Sequence, residues 1–137
     1  MKAILAAIFL VVVAGSATAQ SNRPGVGIFP TFQVIVTPEE GGVYRVEPVG
    51  ISSAPVYWCG IGDYAVQTLG KARTQRIYIA EAYVPGARTV KFSFDPPADI
   101  DTTPGYSLTV NRVGENLSAS RAENLCYDSV IDFRRKK

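Results

Sequence analysis

The first nineteen residues limit what the rest of the chain can fold into. Met1-Lys2 is a short basic start, residues 3–14 (AILAAIFLVVVA) are unbroken apolar, and Ala17-Thr18-Ala19 ends the segment with small residues. Charge, apolar run and small-residue cleavage box in that order form the pattern of a secretory signal peptide. The run is shorter than the ~20 residues a membrane-spanning helix needs, and no cysteine stands at the cleavage point to carry a lipid. The expectation is cleavage after Ala19, with Gln20 as the mature N-terminus. The product would be a soluble periplasmic or secreted protein with no stable membrane insertion. Removing residues 1–19 from 137 leaves 118, enough for one domain with a core but not for two.

An exported domain of this size folds in an oxidising compartment, where an even pair of cysteines most simply forms one disulfide. Cys59 and Cys126 are the only two thiols. An intermolecular bridge and two buried free thiols are the alternatives. The cysteines are too far apart to form a C-x-x-C redox motif.

Histidine is absent. Its absence removes the commonest general base, the usual catalytic zinc ligand and the Ser-His and Cys-His nucleophile pairs. Without Lys2 the chain carries 13 basic and 12 acidic side chains, a balance that leaves no electrostatic footprint for nucleic acid. Arg134-Arg135-Lys136-Lys137 close the chain as a basic tail, which reads as a solvated end.

The pattern between these ends is mixed. Residues 20–30 are rich in Gly, Pro and polar side chains and read as a flexible leader. Residues 32–36 (FQVIV) read as a strand, a Pro38–Gly42 turn follows, and Tyr44 and Val46 alternate with Arg45 and Glu47 in a second strand. Ser53 and Pro55 announce a helix that Gly70 terminates. On helical periodicity Trp58, Ile61, Gly62, Ala65 and Leu69 share a buried stripe, with Cys59 and Val66 at its edge. Gly60 and Gly62 fit close approach of this helix to a sheet. Residues 76–84 form a third strand, and Val90, Phe92 and Phe94 alternate in a fourth. Asp95-Pro96-Pro97 stops it. Tyr106, Leu108 and Val110 alternate in a fifth, and Ser120-x-x-Glu123 resembles a capping box opening a second helix through Cys126. Residues 129–133 fit helix or strand equally. The expected fold is α+β: a single domain over residues 31–133, order β-β-α-β-β-β-α, with one antiparallel sheet packed on the main helix.

No motif names a reaction. Asp95-x-x-x-Asp99-x-Asp101 offers oxygens for calcium but fails the EF-hand pattern and suits ordinary turns. No cofactor or metal is expected. Asp63 and Glu81 are candidate acid and base for hydrolysis of an envelope polymer. Gly25-x-Gly27 and Gly60-x-Gly62 lack the context of a nucleotide loop. Asn116-Leu117-Ser118 matches a glycosylation acceptor. Tyr57 and Tyr64, seven residues apart on the helix flank, can form an exposed aromatic ledge for a sugar or a partner protein.

Tyr57-Trp58-Cys59-Gly60-Ile61-Gly62-Asp63-Tyr64-Ala65, with Leu69-Gly70, Arg76-Ile77-Tyr78 and Phe92-Ser93-Phe94-Asp95-Pro96, resembles a group of small exported alphaproteobacterial proteins with a Y-W-C-x-x-G-D-Y-A-like block. The resemblance covers residues 57–96. It implies a Gram-negative periplasmic or secreted setting and makes Cys59 part of the group's pattern. The group has no assigned activity, so no site residue carries over. The functional expectation is a non-catalytic binding or accessory module that meets an envelope protein or glycan through Tyr57, Asp63 and Tyr64. The alternative is the paired-carboxylate hydrolase.

Overall fold

The computed structural model describes residues 19–22, 33–50 and 52–135. The apolar run expected to belong to a signal peptide, most of the expected leader and residues 136–137 lie outside these. The chain is α+β. Six antiparallel strands stand in the order β1-β2-β3-β5-β4-β6, with β1 (Ala19–Asn22), β2 (Gln33–Glu39), β3 (Val43–Pro48), β4 (Arg76–Val84), β5 (Thr89–Ser93) and β6 (Asn116–Ser118). Helix α1 (Ala54–Asp63) runs on into a π-helical turn over Tyr64–Thr68, and α2 spans Ala119–Arg135. From β2 onward the order is β-β-α-β-β-β-α, and β1 adds a short edge strand from residues read as cleavage site and leader. Residues 129–133 are helical, and α2 also takes in Arg134 and Arg135 of the basic tail.

Strand alternation sends Val34, Val36, Val46, Ile77, Ile79, Val90 and Phe92 to one face of the sheet, where all are fully buried. Helix α1 covers that face. Nine consecutive residues, Ala54 to Gly62, carry no charge, and a helix apolar all round belongs inside a protein. Accordingly Val56 through Asp63 are all buried, with the sheet on one side of α1 and α2 on the other.

The two glycines of α1 serve these two contacts separately. They lie two residues apart, about 200° around a helix. A Cβ on Gly60 would stand 2.3 Å from a methyl of Val34 on β2, whereas one on Gly62 would stand 2.4 Å from the backbone nitrogen of Glu123 on α2. Gly60 thus meets the sheet as expected. Gly62 instead lets α2 approach, with Ala119, Ala122 and Cys126 along its buried side. Cys59 and Cys126 form a disulfide within that helix–helix contact, 67 residues apart in sequence.

Two expected elements differ. The alternation of Tyr106, Leu108 and Val110 makes no strand. Ser107 Oγ accepts from the Thr109 amide at 3.2 Å and Thr109 Oγ1 from the Asn111 amide at 3.1 Å. Such local side-chain bonds offer the backbone an alternative to a ladder. The third strand after α1 is β6 instead, which pairs Asn116 with Tyr78 and Ser118 with Arg76. The capping residue of α2 is Ser118, whose Oγ accepts from the Arg121 amide at 3.2 Å. Glu123 turns to Arg73 at 3.5 Å rather than closing a box on Ser120.

Candidate functional site

The residues expected to form a surface ledge are interior. Tyr57 is 1 %, Tyr64 4 % and Asp63 6 % exposed, with Tyr57 packed against Tyr83 of β4 and the β4–β5 turn and Tyr64 against Tyr44 of β3. The Tyr57 hydroxyl donates to the Arg88 carbonyl oxygen at 2.8 Å, shares a 2.9 Å hydrogen bond with Ser52, and its ring meets Tyr83 edge-on. Tyr64 stacks at a tilt on Tyr44. Tyr57, Asp63 and Tyr64 therefore form no exposed ledge, since all three are buried.

Burial raises the pKa of both hydroxyls, in Tyr57 against a lowering by the Ser52 bond, and in Tyr64 with added repulsion from Tyr44. A raised folded-state pKa means that the native chain holds these protons after the unfolded chain, near pH 10, has lost them. Stability should therefore be insensitive to these groups at neutral pH and fall as pH rises above about 10. An alkaline spectrophotometric titration should show tyrosines that ionise only as the fold opens. Smooth ionisation of all seven tyrosines with the fold intact would contradict it.

Asp63 and Glu81 do not converge. Asp63 sits on α1 over the core face, while Glu81 is exposed and lies 3.7 Å from Lys91, whose strand neighbours Val90 and Phe92 point into the core. The sheet stands between the two carboxylates, which removes the geometry of paired acid and base. In the acidic loop, Asp101 Oδ1 accepts from the Thr103 amide at 2.9 Å. That bond lowers the pKa of the carboxyl. Among the described residues no group of three or more His, Cys, Asp or Glu is placed to hold a metal ion.

A different site emerges at the β6 edge. Twenty-two residues, 94–115, join β5 to β6, an uncommon length for a connection without its own secondary structure and one that often carries function. The segment is held at several points. The buried Glu115 carboxylate, 1 % exposed, accepts from the Gly105 amide at 3.0 Å and pairs with Arg112 at 2.9 Å. Arg112 also donates to the Thr103 carbonyl oxygen at 2.9 Å. Trp58 Nε1 donates to the Leu108 carbonyl oxygen at 3.0 Å, and the Tyr83 amide to that of Val110 at 2.8 Å.

Held this way, Pro104, Tyr106 and Leu108 form one wall of a cleft of about 600 Å³, a volume typical of ligand sites. The other wall is Leu117 and Ser118 of β6 with Arg76 and Arg121. Asn116 organises the floor. Its Oδ1 accepts from Arg76 Nε at 3.0 Å and Nη2 at 2.6 Å, and its Nδ2 donates to the carbonyl oxygens of Thr102 at 2.8 Å and Gly114 at 3.0 Å. Engaged on both ends and 2 % exposed, this amide is closed to glycosylation. Arg121 is exposed and its guanidinium makes no hydrogen bond or ion pair to another described residue. Tyr106 stands at the rim, 95 % exposed.

No protein-family model matches the chain, and no curated protein or solved structure matches it. The cleft therefore has to be read from its own chemistry.

That chemistry is cationic. Two guanidinium groups border the cleft, and among the described residues no carboxylate lines it. The N-terminus of α2 adds little, since the Ala119 and Ser120 amides already donate to the carbonyl oxygens of Gln75 and Arg73, and the Arg121 amide to Ser118. Anion recognition falls to the side chains. A second hollow of about 250 Å³ lies between Ser52, Tyr83 and Asn111, and no charged group among the described residues lines it. Among the described residues no helix is long and apolar enough to cross a membrane.

Sequence reasoning missed Arg76, Tyr106, Asn116 and Arg121 as a group. They come from a strand start, an irregular connection, an edge strand and a helix start, and no spacing links them. Pro104-Gly105 before Tyr106 was the available signal that the residue sits in a turn.

Proposed function

We propose that this protein is an exported, non-catalytic binding module that holds an anionic ligand in the cleft between residues 104–108 and the β6–α2 corner. The observation that carries the reading is the pairing of an oriented Arg76 with Arg121, whose guanidinium no other described residue engages, across a ligand-sized cleft. A guanidinium already fixed in place loses less freedom on binding a carboxylate or phosphate than a free one does. The buried disulfide supports a setting in the periplasm or outside the cell, and the signal-peptide pattern supports the route there. In that setting the ligand belongs to an envelope protein or glycan, in line with the likeness to small exported alphaproteobacterial proteins.

Retention on immobilised dextran sulfate tests the site against the other cationic feature of the chain, the basic tail. Arg121→Glu is expected to abolish retention at low salt, because it places a like charge where the anion sits. Alanine at all four positions of 134–137 is expected to leave most of it. The mature chain is close to neutral overall, so retention depends on where the charge is placed. The reverse outcome, loss with the tail variant and retention in Arg121→Glu, would overturn the assignment.

A further inference from the structure

We infer that the ligand is an acidic glycan, a run of sugars bearing carboxylates, and not an acidic peptide; the inference rests on the cleft being the binding site. Tyr106 is the first reason. Its ring is almost wholly in water at 95 % exposure, on a backbone with φ of +53°. Bulky residues rarely adopt that region, and the strain it stores tends to sit at ligand clamps. The neighbouring Gly105 amide is tied to Glu115, so the ring is presented from an anchored backbone. A flat, exposed aromatic face suits stacking by a sugar ring. A peptide anchor side chain favours a closed, desolvated pocket instead.

Arg76 is the second reason. With Nε and Nη2 committed to Asn116, the plane of the guanidinium is set, and planar donors match planar carboxylates. Arg121 supplies a second cation on the same cleft, as a repeated carboxylate requires.

The third reason removes the peptide. Peptides commonly read an exposed sheet edge by adding a strand, through main-chain hydrogen bonds. Here the edge strand β6 has three residues, and the Asn116 amide is directed to Glu115 Oε1 at 3.4 Å. Beyond it the amides of Ala119, Ser120 and Arg121 are all donated within the fold. The cleft offers side chains and a ring rather than a backbone ladder.

Calorimetric titration of the mature protein with a galacturonate pentasaccharide, an uncharged galactose pentasaccharide and pentaglutamate separates the possibilities. The galacturonate is expected to bind, and the uncharged sugar to bind weaker by about tenfold or more, since it lacks the charge-assisted bonds. Tyr106→Ala should weaken galacturonate binding about fivefold to tenfold and leave the unfolding midpoint unchanged. Pentaglutamate binding as tight as galacturonate, with no effect of Tyr106→Ala, would overturn the glycan and make the ligand an acidic peptide while the cleft stands. Binding of neither anion would overturn both.

Discussion

Replacing Cys59 and Cys126 together with alanine is expected to lower unfolding stability by about 4 kcal/mol. The bridge spans 67 residues of sequence, and closing a loop of that length removes conformational freedom from the unfolded chain by about that amount on the chain-entropy account. Against a total of roughly 5–15 kcal/mol for a domain, the loss is large enough to leave a sizeable unfolded fraction. It should act first where the bridge does, on the docking of α2 against α1. The Gly62 contact holds α2 close only while the helix is docked, and the cleft uses the start of α2. Urea unfolding of the two proteins should show a lower midpoint for the variant, and helical signal should fall ahead of the main transition. An unchanged midpoint would mean that helix packing alone holds α2.

Trp58→Ala should cost about 3–5 kcal/mol, the range for emptying a large aromatic site in a core. Trp58 is fully buried and meets the Phe92 ring edge-on at 5.0 Å. It also ties the cleft wall, since its Nε1 donates to the Leu108 carbonyl oxygen there. Trp58→Phe separates the two roles. The ring is largely replaced, the hydrogen bond is not, and the loss should fall to about 1–3 kcal/mol. Amide exchange in Trp58→Phe should then quicken across residues 105–111 more than in the strands. Equal protection in both proteins would show that Glu115 and Arg112 hold the segment without Trp58.

The fold was largely readable because its elements obey simple periods. Val34/Val36, Val90/Phe92 and the proline stop after Phe94 announce strands, and Pro55 announces α1. Reading the exposure of α1 went wrong. Tyr57 and Tyr64, expected as an exposed ledge on the helix flank, are buried. A charge-free stretch from Ala54 to Gly62 is better read as a helix covered on every side, and Gly62 marks where the second helix approaches. The small residues at 119, 122 and 126 are its counterpart on α2.

The site was less readable for a physical reason. Tyr106, Leu108 and Val110 alternate as a strand does, yet Ser107 and Thr109 bind their own downstream amides and Tyr106 adopts a left-handed backbone. Asn116 looked like a chance glycosylation acceptor and is the hinge of the cleft floor. Its four hydrogen bonds reach Arg76, Thr102 and Gly114, groups up to forty residues away, which no local pattern encodes. Glu115 likewise reads as one more surface acid, and its burial follows only from the backbone folded around it.

Amide chemical-shift mapping during titration with the galacturonate pentasaccharide tests the cleft most directly. Shifts should concentrate at residues 105–108, 116–121 and Arg76, and vanish in Arg121→Glu. Shifts confined to the opposite sheet face around Arg45 and Lys91, or to the tail beyond residue 133, would contradict the assignment of this cleft as the binding site.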